Sequence, residues 1–314
     1  MQATEVKDIA YAPHGDGAGR GHLLDLYLPP EGFERPVPLL IWSSGSAWLS
    51  DDGKAGAVEA ATALTAEGWA VAGVSVRSSS QARFPAQVHD VKAAIRWLRV
   101  NAGHHGLDPD RFAAMGNSSG GWIASMAALT AGHAELEGEL GNGDLASAVQ
   151  AAVDLYGPTD FAQMDGHMID PSFAELNTVG GTTDGHGDAR SPESRLLGAA
   201  IGTVPHLVAA ANPASYVTAG APPMLIVHGA ADPLVPHHQS ELLYAALAEA
   251  GADATFVSVP GAGHAHPYLI DPAASASRVV SSTRQSGPDL DLLRTTGPTW
   301  TAILAFLDGA LAAG

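Results

Sequence analysis

Three residues in this chain could together carry out acyl transfer: Ser118, Asp232 and His264. A serine hydroxyl is a poor nucleophile unless a base takes its proton, and that base needs an acidic partner to orient it. Ser118 stands in Gly116-Asn-Ser-Ser-Gly120, a G-x-S-x-G pattern that places the serine on a sharp strand-to-helix turn. The flanking glycines leave room for that strained turn. The helix start beyond it offers free N–H groups and a positive dipole end where an oxyanion would form. The pattern alone is weak in a chain with 36 glycines, so context decides. Here an apolar run from Arg111 reads as a buried strand, and Trp122 to Thr130 carries a helical pattern. Ser119 is the rival nucleophile, but Asn117 two before it and Gly121 two after it suit the turn less well.

The order that goes with such a turn is serine, then acid, then histidine, so the partners are sought downstream. Asp232 follows an apolar strand in His228-Gly-Ala-Ala-Asp-Pro-Leu-Val-Pro236, and His264 follows the next strand in Pro260-Gly-Ala-Gly-His264. Both sit in Gly/Pro-marked loops just past a strand, where open α/β sheets place their sites. Asp160 lies one strand too early for the acid, and His266 is the alternative base. His228 reads as a packed histidine, while His104-His105 and His237-His238 read as helix caps or solvent-facing groups. Asp90 reads as a structural charge near a helix start. A metal role for His264-x-His266 lacks a surrounding ligand cluster.

Oxyanion donors are expected from the Ser119 N–H and from the small-residue loop Ser44-Gly-Ser-Ala-Trp48. Trp48 and Trp122 flank these donors and are the candidate substrate-pocket residues, with Trp42 assigned to the core.

These residues need a scaffold that lines up strand ends. Leu23–Leu28 alternates and suggests an outer hairpin with an earlier strand around a Gly-rich turn, Gly15 to Gly21. Val37–Trp42, Trp69–Val76, Gln150–Tyr156, Pro223–Gly229 and Thr255–Val259 are short apolar runs of the kind buried on both faces of a sheet. Between them lie helical patterns, including Val88, Val91, Ile95 and Leu98 on one face, with Gly103 as the expected C-cap. Alternation of this kind predicts an α/β fold: a mostly parallel sheet covered by helices on both faces, as one domain over 1–314. Residues 158–221 break the rhythm and read as an inserted lid. Residues 271–297, rich in Ser, Ala and Thr, read as a second loop excursion, and Thr299–Ala312 as a closing helix.

Composition narrows the function. With 15 Lys+Arg against 33 Asp+Glu the net charge is −18, which argues against nucleic-acid or anionic-membrane partners. No cysteine is present, excluding disulfides and thiolate catalysis. The N-terminus lacks the basic-then-apolar pattern of a secretion signal, and no apolar run approaches a membrane span. The expectation is a soluble, cytoplasmic protein, with room for a homodimer.

Taken together, Leu39-Leu-Ile-Trp-Ser-Ser-Gly-Ser-Ala-Trp48, Phe84-Pro-Ala-Gln-Val-His-Asp-Val-Lys-Ala-Ala-Ile-Arg-Trp-Leu98, Gly116-Asn-Ser-Ser-Gly-Gly121, His228-Gly-Ala-Ala-Asp-Pro-Leu-Val-Pro236 and Gly261-Ala-Gly-His264 resemble the α/β-hydrolase superfamily. The branch they resemble is that of the Bacteroidetes-type feruloyl and acetyl-xylan esterases and the hormone-sensitive-lipase-like carboxylesterases. The resemblance implies Ser118 as nucleophile, Asp232 as acid and His264 as base, with the backbone amides of Ser46 and Ala47 joining Ser119 in the oxyanion hole. One departure is that the usual His-Gly-Gly-Gly is here Ser44-Gly-Ser-Ala47. The implied activity is hydrolysis of a small-molecule carboxylic ester through an acyl-enzyme, with no cofactor or metal. An arylformamidase-like amidase and a non-catalytic binding protein on the same fold are the alternatives.

Overall fold

The computed structural model describes residues 3–13, 19–170, 172–181 and 184–312. Most of the Gly15–Gly21 turn and the first two residues therefore lie outside the described residues. Among these, nine strands form one sheet: β1 (Thr4–Ala10), β2 (Leu23–Leu28), β3 (Val37–Ser43), β4 (Ala70–Val74), β5 (Leu107–Asn117), β6 (Ala151–Leu155), β7 (Met224–Gly229), β8 (Ala254–Val259) and β9 (Val279–Ser282). Their order is β1-β2-β4-β3-β5-β6-β7-β8-β9. The six strands from β4 to β8 run parallel, and antiparallel strands close each edge. This is the α/β-hydrolase fold.

Burial on both faces explains why the central strands read as unbroken apolar runs. In β3, Leu39 and Ile41 join the core on one face, whereas Leu40 and Trp42 join the core on the other, as a period of two requires. The first face is covered by the helices Ala86–Val100, Ser119–Leu129 and His238–Glu249 through Val88, Ile95, Ile123, Met126, Leu243 and Leu247. Ala57–Thr65 and Trp300–Ala312 cover the second face through Leu64, Ile303, Phe306 and Leu307. Because the inner strands are parallel, all their C-terminal ends open on the same side, and the loops leaving them meet there.

Two expectations change. The glycine that closes the Val88–Leu98 helical region is Gly106 (φ 67) rather than Gly103, because a further turn, Ala102–His105, follows the helix. Residues 271–297 hold β9 and the helix Pro288–Thr295, so they finish the sheet edge instead of forming a loop excursion. β9 is four residues long and half exposed, too short for a period to register, while Leu290 and Leu293 of the helix are buried.

Between β6 and β7, the described part of residues 158–221 holds the short helices Ala174–Gly180, Pro192–Leu197 and Pro205–Ala210. No described helix is long and apolar enough to cross a membrane.

Candidate active site

Ser118 lies between β5 and the helix Ser119–Leu129 with φ 55 and ψ −129, a backbone region that costs a non-glycine residue on the order of 1–3 kcal/mol. The surroundings hold it there. Its N–H donates to the Leu155 carbonyl of β6 at 2.8 Å. Gly120 lets the helix start press against β3: a Cβ at this position would run into the carbonyl oxygen of Ser43, which is backbone and cannot give way. Gly116 is closed in by Gly120 and Ser43 in the same manner. Gly120→Ala is therefore expected to destabilise the fold by about 3 kcal/mol or more, read as a lower urea midpoint; an unchanged midpoint would show that the turn has slack.

The three sequence-predicted side chains meet. The Ser118 hydroxyl lies 2.9 Å from His264 Nε2, and His264 Nδ1 lies 2.7 Å from Asp232 Oδ2. With Nδ1–H donating to the carboxylate, Nε2 is left to accept the Ser118 proton. Asp232 follows β7, and its other oxygen accepts the Leu234 and Val235 amides at 2.8 and 2.9 Å. Burial alone would raise its pKa, but hydrogen bonds from His228 and His264 more than offset that and hold it well below the ordinary carboxylate value.

His228 is the partner that sequence reasoning missed. Its Nε2 is 3.2 Å from Asp232 Oδ2 and 3.1 Å from the Val235 carbonyl, while Nδ1 is 2.7 Å from Ser240 Oγ. This network assigns the proton to Nε2, with Nδ1 accepting from Ser240. Two imidazoles thus donate to one carboxylate oxygen. The only signal in the sequence is the i,i+4 spacing of His228 and Asp232 across a loop.

The alternatives are otherwise engaged. His266 bonds the Tyr156 hydroxyl, and burial keeps its imidazole below the usual value. The Tyr156 ring stands edge-on to His264 with centroids 4.8 Å apart. Asp160 caps a turn by accepting the Ala162 amide at 3.0 Å. Asp90 is fully buried and paired with Arg77 at 2.6 Å.

The loop after β3 lies beside Ser118, and its amides divide in two. The Ser46 amide donates to Ser119 Oγ at 2.9 Å, and the Trp48 amide reaches the same oxygen at 3.4 Å. The Ala47 and Ser119 amides have no acceptor among the described residues. Ser46 is thus occupied in holding the Ser119 side chain, which departs from its expected place among the oxyanion donors. Ala47 and Trp48 both take positive φ, 51 and 56, which turns the loop sharply at this point.

A cavity of about 230 Å³ opens over Ser118 and His264 and is lined also by Ala47, Trp48, Leu176 and Val179. Of the two tryptophans put forward from the sequence, Trp48 lines this cavity. Trp122 does not: it is fully buried and stacks perpendicular to Trp48 from behind, centroids 5.3 Å apart. Its indole N–H donates to the Ala211 carbonyl at 2.7 Å, so it fastens residues 158–221 to the helix that follows Ser118.

Several proteins to which this chain is similar are named as esterases. The BD-FAE family model matches residues 24–247. Esterase LipQ of Mycobacterium tuberculosis is 34% identical over 89% of this chain and 61% of its own length. The solved structure of a truncated carbohydrate esterase from gut microbiota is 35% identical, covers 84% of this chain and 90% of that one, and superposes with a TM-score of 0.71. The propionate-bound esterase Est2 of Thermogutta terrifontis shares the fold at 24% identity and a TM-score of 0.60, over 82% of this chain and 84% of that one. The chain spans about half to three fifths of the length of LipQ and the other curated Mycobacterium tuberculosis relatives it matches.

Proposed function

Because the chain belongs to the BD-FAE family, we propose that it hydrolyses carboxylic esters through an acyl-enzyme, with Ser118, His264 and Asp232 as its catalytic residues. The observation that carries this reading is the unbroken hydrogen-bonded relay from Ser118 Oγ to Asp232, opening on a cavity. In the first half-reaction His264 Nε2 takes the hydroxyl proton as Ser118 Oγ attacks the ester carbonyl. Asp232 holds the imidazole tautomer and stabilises the imidazolium. The Ala47 and Ser119 amides, which lack protein acceptors, are the donors to the oxyanion, each worth about 2.7–4 kcal/mol in the transition state. His264 then gives its proton to the leaving alcohol. In the second half it deprotonates a water that attacks the acyl-Ser118 carbonyl, then returns that proton to Ser118 Oγ as the acyl C–Oγ bond breaks and the acid is released.

Residues 158–221 act as the lid in this proposal, supported by the contribution of Leu176 and Val179 to the cavity wall. A cytoplasmic location is part of the same proposal. The cavity lies below the range of about 300–1,000 Å³ usual for drug-sized ligands, which favours short acyl groups. The test is a series of 4-nitrophenyl esters from acetyl to decanoyl, run beside the matching 4-nitroanilides. The expected result is turnover of acetyl to butyryl esters, falling with longer chains. Faster cleavage of anilides than esters would move the reading to an amidase.

A further inference from the structure

The cavity wall contains two ionisable side chains that this mechanism does not use, His186 and Glu193. Both come from residues 158–221, and they are 1% and 4% exposed. His186 Nδ1 lies 3.1 Å from Glu193 Oε2. The local chain is built to hold them. Asp165 accepts the amides of His186 and Gly187 at 2.6 and 2.8 Å. Glu193 is in the first turn of the helix Pro192–Leu197, where the Ser191 hydroxyl accepts the Ser194 amide at 3.0 Å.

Taking such a pair out of water is costly before its mutual attraction is counted, and apolar side chains of similar volume would make a wall without that cost. Burial disfavours the charged imidazole, yet the Glu193 and Asp165 carboxylates outweigh it and raise His186 above its ordinary pKa. The pair thus sets the imidazole of one residue directly against the carboxyl group of the other. It leaves a remainder: among the described residues Glu193 Oε2 and both ring nitrogens of His186 are buried without a hydrogen-bond partner, although both residues border the cavity. A carboxylate oxygen has lone pairs to fill, and in a confined site an unfilled one is costly.

We propose that Glu193, held by His186, is a specificity-determining acceptor for a hydroxyl group carried by the ester substrate. This rests on the esterase reading above and adds to it the chemistry of the substrate. A neutral hydroxyl fits better than an ammonium group, because His186 already stands 3.1 Å from Glu193 Oε2 and a cation would have to shed its water to enter this buried corner beside it.

The hydroxyl can belong to the acid or to the alcohol, and two matched pairs of esters separate these sources. In the first, kcat/KM for 4-nitrophenyl 3-hydroxybutyrate is compared with that for 4-nitrophenyl butyrate. In the second, 2-hydroxyethyl butyrate is compared with propyl butyrate by pH-stat, with choline butyrate as the cationic control. The wild-type protein is expected to favour the hydroxylated member of one pair by about tenfold or more, the scale of a hydrogen bond to a charged group. Glu193→Leu should abolish that ratio and Glu193→Gln should retain part of it. Equal rates within both pairs, a preference that survives Glu193→Leu, or a choline ester favoured over both hydroxylated esters would each overturn the proposal. Ester turnover that depends on Ser118 but shows no hydroxyl preference defeats this inference alone. Inactivity on every ester defeats the esterase reading, and this inference with it.

Discussion

Replacing Ser118 by alanine is expected to lower kcat on short-chain 4-nitrophenyl esters by on the order of 10⁴–10⁶-fold, with little change in stability. The size follows from the relay. His264 Nε2 is positioned by Asp232 to collect one proton, that of the Ser118 hydroxyl 2.9 Å away, so without the hydroxyl neither partner has a reaction to assist. What survives is the cavity and the free amides at Ala47 and Ser119, which still bind an ester and polarise it. Stability should hold because alanine keeps the Cβ and meets the same backbone angles as serine. The neighbouring hydroxyl offers no substitute. Ser119 Oγ is held by the Ser46 and Trp48 amides, and no described histidine bonds it. Steady-state kinetics of Ser118→Ala and Ser119→Ala side by side decide the matter; a Ser118→Ala protein with wild-type turnover ends the acyl-enzyme proposal.

Asp232→Asn is expected to reduce kcat by about 10⁴-fold, the scale seen when the orienting acid of such a relay becomes an amide. The asparagine oxygen is the better acceptor for the Leu234 and Val235 amides, which now bond Oδ1 at 2.8 and 2.9 Å. Its NH₂ group then faces the two imidazoles. Facing a donor, His264 turns to the tautomer with its proton on Nε2 and can no longer accept from Ser118. His228 meets the same donor where its own Nε2–H points, so the substitution places unlike partners against two rings at once. Stability should follow pH with a definite sign. The Asp232 pKa is depressed in the folded state from the ordinary 3.8, so its stabilising contribution is complete above that value and is lost as pH falls through the depressed one. The stability gap between wild type and Asp232→Asn should therefore stay level from neutral pH down to about pH 5 and narrow only below 3.8. Urea titrations across that range would expose a gap that instead closes near neutrality, which would assign the stabilisation to another group.

What could be read from the residues, and what could not, divides along physical lines. Ser118, Asp232 and His264 each follow an apolar strand and stand among small or Pro/Gly residues, and parallel strands bring such loops to one side; local pattern and topology therefore point to the same place. The oxyanion loop is legible as a loop, but which amides are free depends on where one hydroxyl, that of Ser119, turns. Trp122 flanks the site in sequence yet faces backwards, because the first residues of a helix project in directions nearly a third of a turn apart. β9 escapes because an edge strand of four half-exposed residues carries no period. His186 and Glu193 lie in a stretch with no repeating pattern, where only the folded chain shows that seven residues of separation become an ion pair.

The bond from Trp122 to the Ala211 carbonyl has a consequence for traffic. Together with the bond from the Phe84 amide to the Leu196 carbonyl at 2.9 Å, it sews the later half of residues 158–221 to the scaffold from two sides. In the lid proposed above, one margin is in this sense fixed. Under the lid proposal, passage is left to the margin with Leu176 and Val179, the second of which is 44% exposed while lining the cavity. The doorway and the reacting atoms are thus carried by separate parts of the chain. The size of molecule admitted can change at Val179 while the relay beneath it keeps its geometry.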